Sequence, residues 1–123
     1  MKHKNETSRR IFEFVVRVIK FLEKIPNTIA NNIIRYQLIK SASSVGANYE
    51  ESQSGISKAD FLNKVRISLK ESNESNYWLR IIKHTNKLDI KLSEELNYLI
   101  KESYELSLIL GKIVNGDRNK KQS

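Results

Sequence analysis

Cysteine is absent from the 123-residue chain, histidine occurs twice, proline once and glycine four times. Without a thiol there is no disulfide framework, no thiolate metal site and no cysteine nucleophile, and a reducing, cytoplasmic setting suits such a chain. So little proline and glycine argues against a many-stranded β fold, whose turns need both. No apolar run approaches the roughly 18 residues that a membrane-spanning helix requires. The N-terminal "MKHKNETSRRIFEFVVRVIKFLEK" places basic residues before apolar ones, as a signal peptide does, but Glu13, Arg17, Lys20 and Glu23 interrupt the run. No small-residue cleavage site follows, so the segment is read as an amphipathic helix.

What the chain has is Leu, Ile and Val at helical spacing and an excess of positive charge, +8 net with a pI near 9.7. The charge favours an anionic partner such as nucleic acid and says nothing about fold. Over 7–25, Ile11, Phe14, Val15, Val18, Leu22 and Ile25 recur three or four apart, and Pro26 ends the pattern. Over 28–53, Ile34, Leu38, Ala42, Val45 and Tyr49 form one apolar line, and Ile29, Ile33, Tyr36 and Lys40 form another. Asn27 or Thr28 is placed to cap this second segment. Over 58–86, Ser57 is a cap and Asp60 falls in the first turn, while Phe61, Val65, Ser68, Ser72, Ser75, Leu79 and Ile82 form a seam with hydroxyls at its centre. Leu92, Leu96, Leu99, Ser103, Leu106, Leu110 and Ile113 mark a fourth segment, and Gly116 is its stop signal. Four long helices with short connections predict an all-α, up-down-up-down four-helix bundle as a single domain over 1–116, followed by a flexible basic tail over 117–123.

One stretch departs from good helix-forming composition: "SVGANYEES", residues 44–52. Ser41, Ser44, Asn48 and Ser52 make a polar seam that matches Ser68, Ser72 and Ser75, which predicts two helices in close approach, with the Asn48 amide satisfied against Glu71 or Glu74. Glu71, Glu74 and Trp78 share a helix face with Ile67 and Ile81 and read as an interface rim or a buried network, with Trp78 as an anchor.

The catalytic inventory is thin. A di-iron bundle needs a His three residues after a Glu on each of two helices, and neither His3 nor His84 stands there, so no metal or cofactor site is assigned. No glycine-flanked nucleophile elbow or phosphate loop occurs. A metal-dependent nuclease built from Glu50, Glu51, Asp60, Glu71 and Glu74 is allowed by residue type, provided several of these carboxylates converge. Arg10, Arg17, Lys20 and Lys24 line one stripe of the first helix, and with Arg118, Lys120 and Lys121 of the tail they form the candidate phosphate-contacting set.

"QLIKSASSVGANYEES" followed by "SKADFLNKVRISLKESNESNYWL" resembles the four helix bundle protein family, also called the 23S rRNA-intervening sequence protein family, through Gln37, Ser44, Val45, Asn48, Asp60, Phe61, Lys64, Glu71, Glu74, Trp78 and Leu79. The resemblance implies a bundle that assembles as a ring-shaped homo-oligomer, a homopentamer being the known form. It also brings in the accessory variability determinant of diversity-generating retroelements, a basic relative understood to bind nucleic acid and a reverse transcriptase. The expected role is a non-enzymatic oligomeric scaffold that binds RNA or DNA, or a nucleic-acid enzyme such as a reverse transcriptase. The structural and interface residues of that expectation are Asn48, Tyr49, Glu71, Glu74 and Trp78. The alternative is a nuclease or small regulatory protein that uses the Glu71/Glu74 cluster.

Overall fold

The computed structural model describes residue 3 and residues 5–122, with side chains described up to residue 116. Among these residues there are four helices and no strand: α1 (Glu6–Leu22), α2 (Ile29–Ser52), α3 (Lys58–Thr85) and α4 (Ile90–Gln122). Each begins where a short polar side chain takes a free first-turn N–H. Asn5 accepts from the Ser8 N–H at 2.8 Å, Thr28 from Asn31 at 3.0 Å, Ser57 from Asp60 at 3.1 Å and Asp89 from Leu92 at 2.9 Å.

Cross-helix bonds fix the topology. Arg10 meets Glu102 and Arg17 meets Glu95, so α1 and α4 run antiparallel. Ser41 meets Ser75 while Val45 meets Ser68, which makes α2 and α3 antiparallel as well. Asn76 reaches Ile100 while Ser72 reaches Ser107, and so α3 and α4 are too. Each helix packs on its sequence neighbours and α1 closes the ring of four against α4; among the described residues the backbones of the diagonal pairs do not come close. This is the up-down-up-down bundle that the periodicity predicts.

The core runs through all four helices: Ile11, Phe14, Val18 and Leu22 from α1, Leu38, Ala42 and Val45 from α2, Val65, Leu79 and Ile82 from α3, and Leu99, Leu106 and Leu110 from α4. At mid-height the apolar layer gives way to buried hydroxyls. Ser41 and Ser75 share a hydrogen bond of 2.8 Å, and Ser68 donates to the Val45 carbonyl at 2.8 Å. On the other side of α3, Ser72 donates to the Ser103 carbonyl at 3.1 Å and pairs with Ser107 at 2.8 Å, while the Asn76 amide donates to Ser103 Oγ at 2.9 Å. Side chains this small let the helices approach closely, and reciprocal bonding removes the desolvation penalty of burying them. Among the described residues no buried side-chain nitrogen or oxygen lacks a partner.

Three details differ from the sequence reading, and a fourth goes beyond it. The Asn48 amide does not cross to α3; it donates to the carbonyl and hydroxyl of Ser44, both at 2.9 Å, one turn back on its own helix. The first helix ends at Leu22 rather than Ile25, because Arg35 of α2 takes the Leu22 carbonyl at 2.8 Å and the Ile25 carbonyl at 2.5 Å, closing the C-terminus from outside. Gly116 does not stop α4, whose backbone stays helical to Gln122; a glycine weakens a helix by about 1 kcal/mol but does not end one. The second line on α2 is not covered within the protomer: Ile29 is 84% exposed, Ile33 58% and Tyr36 66%.

Candidate nucleic-acid interface

The polar flank of α1 faces α4 across the bundle surface, and the antiparallel register decides what each cation meets. Arg10 binds Glu102 through two nitrogens, at 2.5 and 3.1 Å, and reaches Glu105 at 3.1 Å. Arg17 grips Glu95 in the same two-pronged way, at 3.0 and 2.5 Å, and its guanidinium lies 3.6 Å from the centre of the Tyr98 ring. Glu102 is only 6% exposed, so Arg10 compensates a carboxylate withdrawn from water. Hydrogen bonds to Glu102 and Glu95 raise the proton affinity of Arg10 and Arg17 above the usual guanidinium value, against the effect of partial burial. The two arginines named as phosphate contacts thus hold the α1–α4 contact, with Nε and Nη2 of each committed to carboxylates of α4.

Lys20 and Lys24 have a different fate. Both are exposed, and no ion pair engages either one among the described residues. They stand on the rim of a cleft of about 630 Å³ between the end of α1 and the first turn of α4, opposite Lys91, with Phe21 and Leu92 on its walls. Arg118, Lys120 and Lys121 lie outside the residues whose side chains are described.

The acidic candidates do not gather. Among the described residues no group of three or more His, Asp or Glu side chains is placed to hold a metal ion. Glu51 pairs with Lys64 at 2.9 Å across α2 and α3, and Glu74 accepts from the Trp78 indole at 3.3 Å. Burial first, and then the neighbouring charge of Glu74, push the Glu71 carboxyl above its ordinary range, with Lys70 and Lys40 opposing. Trp78 is half-buried against the core with its ring edge-on to Tyr77, so it is not a free stacking surface. Tyr49 is buried, and its hydroxyl approaches the Asn5 side chain that caps α1 at 3.4 Å.

Three features escaped the sequence reading. Lys91, in the first turn of α4, was given no role by the sequence, and only the fold brings it beside Lys20 and Lys24. The arginine pairs were signalled by spacing: Arg10 and Arg17 are seven residues apart, as are Glu95 and Glu102, the register that antiparallel helices bring together. Asn31 and Asn86 exchange amide hydrogen bonds at 2.8 and 3.1 Å, latching the start of α2 to the end of α3, and nothing in their sequence surroundings marks them as partners.

No curated protein matches the chain. Among solved structures it is similar to a protein of unknown function from the S23 ribosomal protein family of Bacteroides thetaiotaomicron, with a TM-score of 0.73 and 31% identity over 88% of this chain and 97% of that one. Residues 3–112 match the family model described as 23S rRNA-intervening sequence protein. A match over nearly the whole bundle, together with a relative of the same shape at that identity, makes the chain a member of the 23S rRNA-intervening sequence protein family.

Proposed function

We propose that the protein is a non-enzymatic, oligomeric helical scaffold that binds nucleic acid, or an enzyme that acts on nucleic acid such as a reverse transcriptase. The observation that carries this reading is the imbalance of charge: a net +8 remains after the carboxylates nearest α1 are taken up by Arg10 and Arg17, and it includes lysines with no ion-pair partner. Clustered, uncompensated cations attract a polyanion and raise its local concentration. The name of the similar family, a ribosomal protein family, is in keeping with an RNA partner.

Self-assembly, with a ring-shaped homopentamer as the form the family resemblance implies, finds support in the exposed α2 line of Ile29, Ile33 and Tyr36, an apolar stripe a solitary protomer leaves in water. Light scattering after size exclusion should return a mass several times that of the 14.3 kDa protomer, and replacing Ile29 and Ile33 together by Lys should reduce it without unfolding the bundle. A wild-type monomer at micromolar concentration would reject assembly.

Labelled RNA and DNA incubated with magnesium or manganese test the absence of an enzyme. Binding without cleavage supports the scaffold, whereas cleavage lost on Glu71→Gln would replace it by a metal-dependent nuclease.

A further inference from the structure

The cleft between α1 and α4 holds four cations, Arg17, Lys20, Lys24 and Lys91, against two carboxylates, Asp89 and Glu95. Both carboxylates are already engaged: Glu95 by the two-pronged grip of Arg17, and Asp89 by the first turn of α4, where it accepts from the Leu92 N–H at 2.9 Å. Among the described residues none of the three ammonium groups forms an ion pair, and four cations against two carboxylates leave the lining a net charge of +2. Because Asp89 caps the α4 terminus, the positive charge available to a ligand resides on the lysines rather than on the helix end. A concave, partly apolar wall focuses their field, and a volume of about 630 Å³ lies in the range that accommodates a nucleotide-sized group rather than a lone ion.

We propose that this cleft is the phosphate-binding site of the protein, taking the phosphates of a nucleic-acid strand on Lys20, Lys24 and Lys91. This rests on the nucleic-acid reading above and relocates its contacts from the arginine stripe. The neighbouring aromatic side chain, Tyr98, is occupied by the Arg17 guanidinium, and Phe21 is buried, so neither offers its face to a base. Recognition is of the backbone, indifferent to sequence. Arg17 has a positioning role: by holding Glu95 it keeps that carboxylate from neutralising the lysines.

The test compares two triple variants of equal net charge. Lys20→Gln/Lys24→Gln/Lys91→Gln empties the cleft, and Lys83→Gln/Lys101→Gln/Lys112→Gln removes the same charge from exposed positions outside it. All six side chains are exposed, and thermal unfolding verifies that both variants fold. For a fluorescent single strand of mixed sequence, the cleft variant should lose affinity by roughly tenfold or more and flatten the plot of log affinity against log salt by about two, three single-strand contacts at roughly 0.7 each. The control should lose less than about threefold, since it retains every phosphate contact. Equal losses in the two variants would overturn the cleft while leaving nucleic-acid binding intact. Titration of the wild type with pyrophosphate, followed by NMR, separates the sources of phosphate. Shifts confined to Lys20, Lys24 and Lys91 in a protein that binds no strand would uphold the cleft, make its ligand a free diphosphate and reject the nucleic-acid reading. No shift there together with no strand binding would overturn both.

Discussion

Buried hydroxyls at the centre of the bundle act as determinants of spacing between helices. Ser72 illustrates the balance, since it is fully buried and bonded to both Ser103 and Ser107. Ser72→Ala should cost about 1–2 kcal/mol in chemical denaturation through the Ser107 hydroxyl left with fewer partners, and Ser72→Leu should cost about 3 kcal/mol by overpacking the α3–α4 contact. Asn48→Leu, in contrast, removes only a local bond to Ser44 from a half-buried position and should change stability by less than about 1 kcal/mol, the helix propensity of Leu offsetting the loss. Glu71 gives a pH dependence whose sign follows from its environment. Its folded carboxyl, raised by burial and then by Glu74, holds a proton more tightly than the unfolded chain does, so the ionised form is penalised in the fold. That penalty is fully present above the folded pKa and vanishes as pH falls below the ordinary value of 4.5. Glu71→Gln should therefore raise the melting temperature at pH 7, and the gain should fade on acidification toward that value.

At the scale of helices, apolar periodicity in the sequence located all four, because side chains three and four apart must share a face whatever lies opposite. The line Ile34, Leu38, Ala42, Val45 and Tyr49 is buried throughout. What such periodicity does not carry is the identity of the facing surface. Arg10 and Arg17 occupy a polar flank in sequence, but whether that flank meets water, phosphate or Glu95 and Glu102 depends on how α4 returns. Lys91 joins the candidate site for the same reason, by a turn that brings distant positions together. The cap at Thr28 was legible because capping is local, whereas the closure of α1 by Arg35, thirteen residues beyond Leu22, was not. The α1–α4 contact makes a measurable claim. Arg10→Met leaves Glu102, 6% exposed, without its cation and should destabilise the fold by about 2–4 kcal/mol, while Arg10→Met with Glu102→Leu should recover most of that loss. Denaturant melts of the two variants at pH 7 check both figures, and an equal loss in each would mean that packing, not charge, joins these helices.

For the whole molecule, an interior in which every buried polar side-chain atom of the described residues is hydrogen-bonded contrasts with a surface that carries unbalanced charge at one end of the α1–α4 seam and an uncovered apolar stripe on α2. Neither feature stabilises the protomer, and both are suited to partners: the stripe to further copies, the lysines to a polyanion. In the proposed ring the basic cleft would recur once per copy, and multiple attachment would then strengthen binding to a long strand. The most direct measurement is the affinity of the wild-type protein for single- and double-stranded RNA and DNA of several sequences across a salt series. The proposed function predicts log affinity falling linearly with log salt, by about 0.9 per duplex phosphate contacted, with nearly the same line for every sequence. An affinity that ignores salt, or no binding even at low ionic strength, would contradict it.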